Sequence, residues 1–474
     1  MKVSAIPTMT RHLRTLAERG IAAGYGPDDS RQWMASLDTR TGRYPEDDRR
    51  PPGIEPRCYR WIEAPRGCNA YWDGPQLAAA HALAQIAGAP SLHDAADACV
   101  ADFLDRCVAN TGLLLWGNHY YWDAFEGAVM RFTGSRPPAP CDPATDPGDL
   151  HEVRPLPAAW EALWRVAPAR TETAIRAMLD RHLFEPETGG FNRHADLRAG
   201  CAFLEAGGLL IDAAGWLHQR RPDRALVETA ARIARWSFSH RGAATGLLEN
   251  NPTETRWDKH MATTEVGMWA GCLLRAGARM PPLQSEFAQM AADATDAWLR
   301  LGWDEAAGMY FGRLAVADGT PVLGPKTTEY QPGEYADPWE PLFPAHDYPM
   351  QMAEACVELL RRTGRPIFEQ AVERWVGHLR RSLPARGGHG GYAEHYGRAI
   401  HLLCVADEAL GRAEWRDLAA ALAEEAVQVL WTGELFRGHP GEDRYDAVDG
   451  VGILMLALLR LETGEEPPMM GFAF

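Results

Sequence analysis

A short turn built around glycine returns seven times along this 474-residue chain. The copies read TGRYPEDD from Thr41, TGLLLWGNH from Thr111, TGGFNRH from Thr188 and TGLLENN from Thr245. They continue with AGMYFGR from Ala307, GGYAEHYG from Gly390 and TGELFRGH from Thr432. The mean spacing of about 65 residues holds two helices of ordinary length with their connections. A chain that repeats one turn at that interval is expected to build a closed ring of helical hairpins. All the turns would then open on one end of the ring, where the chemistry should lie.

Between the turns, apolar residues fall at helical spacing, as in Leu77-Ala80-Leu83-Ala84 and Phe203-Ala206-Leu210-Ala213-Leu217. The spacing predicts helices over 75–88, 93–109, 119–132, 154–167, 169–184, 201–219 and 223–239. It continues with 261–278, 285–301, 348–363, 367–382, 396–411, 415–430 and 446–463. The expected fold is therefore all-α, an (α/α)7 or (α/α)6 barrel, with strands limited to short ribbons after the turns. One catalytic domain would span 1–474, with residues 1–70 as an N-terminal extension packed on the barrel. Asp73 and Pro75 read as the cap and first turn of the first barrel helix. Two loops break the rhythm: Arg136–Asp149, too rich in proline for helix, and the long connection Gly324–Pro344.

The net charge of −16 excludes nonspecific nucleic-acid binding. It also means that an anionic substrate would need a local positive field from arginine, lysine or a metal. No apolar stretch is long enough to span a bilayer. Nine cysteines without a C-x-x-C pair point to free thiols in a reducing compartment. With an amino terminus that lacks the apolar segment of a secretion signal, the expected location is cytoplasmic. Lysine occurs only at Lys2, Lys259 and Lys326, so an interior lysine stands out against an arginine background.

Three segments hold residues suited to chemistry. WGNHYYWD carries His119, DLHEVRP carries His151 and Glu152, and GFNRH carries Arg193 and His194. Two imidazoles and a carboxylate are mixed nitrogen and oxygen donors, which suit Mn, Fe, Co, Ni or Zn better than Ca or Mg. His151 is an alternative for either histidine. The polar run ENNPTETRWDKHMATTE (249–265) offers Arg256 and Lys259 for substrate carboxylates, with Asn250, Trp257 and His260 for hydroxyls and sugar faces. Tyr392, His395 and Arg398, from GGYAEHYGR, are further candidates for the cleft wall.

WGNHYYWD, then HE, then FNRH resembles the motif order of the family 2 polysaccharide lyases, metal-dependent α/α-barrel pectate lyases, most clearly over residues 110–195. The resemblance implies His119, Glu152 and His194 as ligands of a divalent ion, Mn²⁺ first with Co, Ni or Zn as alternatives, and Arg193 as base. It also implies an acidic oligosaccharide as substrate and a seven-hairpin barrel. The Pro-rich insertion between His119 and Glu152 departs from that pattern. An arginine base is chemically awkward because guanidinium holds its proton. Arg193 then reads as a bidentate carboxylate clamp, with Lys259 as the alternative base. The expected reaction is β-elimination from a uronate, as in pectate or oligogalacturonides. A glycoside hydrolase, drawing on Asp73, Asp123, Glu249, Asp258 or Glu394, or a sugar epimerase using His260 and His395, are the alternatives on the same fold.

Overall fold

Six of the seven repeated turns place a glycine in the left-handed region, at Gly42, Gly112, Gly189, Gly246, Gly308 and Gly433. A side chain is disfavoured there, which is why the turn recurs with glycine. Around each glycine the chain folds into a small antiparallel hairpin, as between Val108 and Leu114, Arg241 and Leu248, or Trp431 and Phe436. The computed structural model describes residues 4–45, 66–133, 136–153, 156–253, 258–327, 331–339, 348–383, 391–467 and 469.

Among these residues are fourteen α-helices. They are α1 (Ile6–Arg19), α2 (Gly74–Ile86), α3 (Pro90–Arg106), α4 (Trp160–Val166), α5 (Pro168–His182), α6 (Leu204–Arg220) and α7 (Arg224–Ser239). There follow α8 (Glu265–Arg279), α9 (Gln284–Leu301), α10 (Tyr348–Thr363), α11 (Pro366–Ser382), α12 (Ala393–Leu410), α13 (Ala413–Leu430) and α14 (Val451–Thr463). The even-numbered helices form an inner ring, each packed on the next, with α14 closing on α2. Trp160 and Trp164 of α4 meet Trp216 of α6 and complete the circle. The fold is an α/α barrel.

Sequence pattern separates the two rings. Every residue of α8 from Glu265 to Gly277, and of α12 from Ala393 to Ala406, is buried. By contrast α7 buries one stripe, including Leu226, Ala230, Ile233 and Ala234, and leaves its other face to water. The inner helices approach closely where one of them lacks a side chain. A Cβ on Gly267 would stand 2.3 Å from the Met352 Cα, and one on Gly397 would stand 2.8 Å from the Ile453 carbonyl carbon.

Three expectations are corrected. Residues 119–132 are a β-hairpin, not a helix. Tyr120–Asp123 pairs with Ala128–Thr133, and the order Gly67–Cys68, Tyr120–Asp123, Ala128–Thr133, Arg136–Pro140 makes a four-stranded antiparallel sheet. The turn is set by Asp123, whose Oδ1 accepts from the Phe125 and Glu126 N–H groups, and by Gly127 at positive φ. The Pro-rich strand lies at the sheet edge, where a missing N–H costs no central ladder bond. Second, the segment expected to pack on the barrel as an extension contains a helix, Ile6–Arg19, that the spacing did not predict. Helix α1 packs against α2 and α3, and the His12 Nδ1 accepts from the Phe436 N–H at 3.0 Å. Third, Asp73 makes no side-chain cap. Its carboxyl is 1% exposed with neither oxygen hydrogen-bonded, and burial, then the charge of Asp446, pushes its pKa well above the usual carboxylate range.

Midway along α12, His401 lies fully buried between two carboxylates, Glu354 of α10 and Glu466 beyond the end of α14. Its Nδ1 is 2.5 Å from Glu354 and its Nε2 is 2.5 Å from Glu466. Burial alone would lower its pKa, but the Glu354 and Glu466 charges more than offset this and hold it at about 9. Because the folded value lies above the unfolded value of about 6.5, the stability from this charge is complete below that pH and is lost as pH rises through about 9. The melting temperature should therefore fall more steeply between pH 7 and about 9 for the wild type than for His401→Gln. Parallel pH profiles in differential scanning calorimetry would contradict the assignment.

Candidate active site

The hairpin that replaced the expected helix is what positions His119. Its carbonyl accepts from the Phe132 N–H at 2.9 Å, and its Nδ1 donates to the Phe132 carbonyl at 3.0 Å. A carbonyl can only accept, so Nδ1 carries the proton and Nε2 of the neutral ring presents a lone pair. That nitrogen lies 3.3 Å from the Glu152 Oε1.

Glu152 and His194 meet for a different reason. They are opposed across an isolated antiparallel bridge, with the Val153 N–H donating to the Arg193 carbonyl and the Ala195 N–H to the His151 carbonyl. Opposed residues project to the same side, and the His194 Nε2 lies 2.8 Å from the same Glu152 oxygen. The Arg193 guanidinium reaches that oxygen at 3.3 Å and stacks over the Phe203 ring at 4.7 Å. Asn192 shapes the loop: its Oδ1 accepts from the His194 N–H, and its Nδ2 donates to Asp196 and to the Arg198 carbonyl.

Thus His119, Glu152 and His194 offer three ligand atoms within 4.8 Å of one another. Glu152 is 3% exposed while the two histidines are partly open. With Nδ1 engaged by the Phe132 carbonyl, Nε2 is the His119 ring atom that faces Glu152, as a shared cation would require. Two imidazole nitrogens and one carboxylate fit a borderline divalent ion.

His151 is not part of this set. Adjacent residues of an extended segment face opposite ways, so Glu152 enters the site and His151 enters the core. The Trp116 indole N–H donates to the His151 Nε2 at 3.2 Å, the His151 Nδ1 donates to the His182 Nε2 at 2.8 Å, and the His182 Nδ1 donates to the Asn192 carbonyl at 2.8 Å. Each direction follows from an indole that only donates and a carbonyl that only accepts. Burial holds the His151 pKa well below its ordinary value and the His182 pKa down to about 4. This neutral chain props the strand carrying Arg193 and His194 from behind. A histidine in the last turn of an amphipathic helix was its only trace in the sequence.

The other candidates fare differently. Lys259 lies, partly buried, on the loop before α8. That loop is joined to the segment after His194, where the Ala202 N–H donates to the Asn251 Oδ1 and the Leu204 N–H to the Asn250 carbonyl. Asn250 departs from the expected sugar contact: it is 1% exposed, with Nδ2 bonded to Glu265 and Oδ1 to Thr263. Arg256 and Trp257 lie outside the described residues. Tyr392, His395 and Arg398 stand at the start of α12, beyond α8 and α10 from this cluster, and are buried. Trp339 meets His395 edge-on at 6.1 Å, His439 lies against Tyr392 at 4.8 Å, and Glu394 is 3.5 Å from Arg398. Packing against these neighbours buries all three.

One constellation went unread in the sequence. Glu205 and Glu265, first-turn residues of neighbouring inner helices, are buried and hydrogen-bonded to each other. Burial, then the Glu205 charge, raises the Glu265 pKa far above the usual carboxylate range. Glycosidase carboxyls must stand about 5 Å or more apart to flank a bond, so this contact pair does not serve that chemistry.

No helix of the described residues is long and apolar enough to cross a membrane. No curated protein matches the sequence significantly. Among solved structures, a family 76 glycoside hydrolase from a bovine Bacteroides thetaiotaomicron strain aligns at 9% identity over 98% of this chain and 79% of its own, with a TM-score of 0.49. A sugar epimerase from a ruminal bacterium aligns at 12% identity over 80% of this chain and 87% of its own, with a TM-score of 0.47. The unsaturated glucuronyl hydrolase of Bacillus sp. GL1 aligns at 14% identity over 66% and 86%, with a TM-score of 0.46. Likeness at this level does not bear on activity.

The family match is more informative. Residues 77–203 fit the sequence pattern of a family described as periplasmic pectate lyase. This overturns the cytoplasmic location expected above. Unpaired cysteines do not require a reducing compartment: seven of the eight described are buried, and burial raises thiols such as Cys99, Cys107 and Cys356 far from their reactive form. Over residues 77–203, the segment that carries His119, Glu152, Arg193 and His194, this chain resembles the periplasmic pectate lyases, which are family 2 polysaccharide lyases.

Proposed function

We infer that this chain is a lyase of uronic-acid glycans, pectate or oligogalacturonides in particular, working by β-elimination at the His119–Glu152–His194 cluster. The family match supports a uronic-acid glycan lyase at the family level. The observation that carries the finer reading is the convergence of two imidazoles and Arg193 on one buried carboxylate inside the matched segment.

His119, Glu152 and His194 would hold a divalent ion, Mn²⁺ first, with Co²⁺, Ni²⁺ or Zn²⁺ as alternatives. When bound, such an ion draws charge from the uronate carboxylate and acidifies the neighbouring C5–H. Arg193 supplies a second positive charge for that carboxylate, which matters in a protein of net charge −16. Its guanidinium is held between Glu152 and the Phe203 ring, so it is oriented before substrate arrives. The proton leaves C5 to a base, the electron pair forms the C4–C5 double bond, and the glycosidic oxygen departs from C4. Arg193 and Lys259 are the candidate bases. Lys259 is favoured chemically, because an amine gives up its proton far more readily than a guanidinium.

The test uses dialysed, full-length protein with polygalacturonate and with short oligogalacturonides. An ultraviolet-absorbing unsaturated product should form with added Mn²⁺, Co²⁺ or Ni²⁺ and vanish with chelator. Reducing ends without that chromophore would instead indicate hydrolysis, and no product from any uronate substrate would end the reading.

A further inference from the structure

A second group of metal-type donors lies away from the proposed lyase centre, on the hairpin of α2 and α3. His93 and Asp97 stand four residues apart on α3 and so share one face of it. His81 of α2 faces them. Its Nε2 lies 2.9 Å from one Asp97 oxygen, the His93 Nδ1 lies 3.5 Å from the other, and the two rings are 5.2 Å apart. All three residues offer ligand atoms within 4.8 Å of one another. Two donors on one tetrahedral ion stand about 3.3 Å apart when the bonds are about 2.0 Å, so the observed separations of 2.9 and 3.5 Å bracket what an ion needs.

His81 also lines a cavity of about 490 Å³, bounded by Gln85, Trp160, Arg165, Trp216 and Arg220. Gln85, Trp216 and Arg220 lie towards the C-terminal ends of their inner helices, whereas Glu152 lies on a loop that leads into an inner helix. The cavity gives solvent and ions a route to the cluster. One group opposes an ion there: the Arg165 guanidinium lies 3.3 Å from the His93 Nε2 and donates to it. That contact keeps the proton of neutral His93 on Nδ1, the nitrogen an ion would need, and adds a repelling charge. Arg165 itself lines this cavity.

The geometry points to a second divalent-cation site at His81, His93 and Asp97, selective for Zn²⁺, Co²⁺ or Ni²⁺ over Mg²⁺ or Ca²⁺, with Arg165 as its competing cation. It does not rest on the lyase reading.

The test is a titration of tag-free, metal-stripped, full-length protein with Co²⁺, followed by calorimetry and by the cobalt absorption bands. Two equivalents are expected. The double variant His93→Ala, Asp97→Asn should lose one and keep the chromophore-forming activity, since neither side chain is near Glu152. His194→Ala should lose the other. Arg165→Ala should retain both and bind one of them several-fold more tightly, a gain that a misfolded protein would not show. An unchanged stoichiometry in the double variant overturns the proposal, as does a single wild-type equivalent that His194→Ala abolishes. A single equivalent lost in the double variant but kept in His194→Ala supports it and counts against the lyase centre instead.

Discussion

Glu152→Gln should lower kcat/KM for metal-dependent elimination by roughly 10²–10³-fold, the scale of losing one pre-positioned electrostatic contact. The side chain is 3% exposed, and one of its oxygens is approached by His119 at 3.3 Å, His194 at 2.8 Å and Arg193 at 3.3 Å. Gln keeps the volume of Glu, so the bridge between residues 152 and 194 has no steric reason to open. What changes is the charge: a neutral amide no longer balances Arg193 or offers an anionic ligand, so metal affinity should fall together with turnover. The variant is to be compared with wild type across a Mn²⁺ titration, with circular dichroism as the check on folding. Activity within tenfold of wild type at low metal would remove Glu152 from the centre.

The second large effect concerns the ring itself. Gly267→Ala should cost at least about 2 kcal/mol of unfolding free energy, towards the upper part of the range for overpacking. The added Cβ would lie 2.3 Å from the Met352 Cα and 2.8 Å from the Met352 backbone nitrogen, so no side-chain rotation can relieve it. Helices α8 and α10 would have to separate, and in a closed ring that displacement is passed on to α6 and α12. Gly24→Ala is the control: nothing lies within 4 Å of its Cβ, and its φ is not positive. Its effect should stay within about 0.5 kcal/mol. Urea denaturation of the two variants beside wild type measures both. Equal midpoints for Gly267→Ala and wild type would mean that the inner helices do not meet as described.

Much of the ring was readable because its signals are local. A glycine that must take a positive φ shows itself at every turn, and an inner helix betrays its position by being apolar on all sides. The errors have local causes too. Tyr120–Thr133 is apolar enough to fit a helical template, and its hairpin is set by a single aspartate and a single glycine, a turn signal that apolar periodicity does not register. Asp73 looked like a helix cap because the dipeptide context allows one, but whether its carboxyl turns to the helix or is buried within reach of the Asp446 charge depends on a segment nearly four hundred residues away.

The candidate centre divides in the same way. The types of residue were legible in His119, Glu152, Arg193 and His194, and so was their order. The exclusion of His151 was not, because it depends on which side of an extended strand faces the core. Nor could spacing foresee that Asn250, Tyr392, His395 and Arg398 would be buried, since burial is settled by neighbours from other hairpins. By itself the chain's sequence determined the repeat, the helices and the chemical repertoire, all of which depend on neighbouring residues. The tertiary structure alone decided which of those groups share one oxygen of Glu152, because ring closure and strand pairing bring together atoms that lie tens of residues apart.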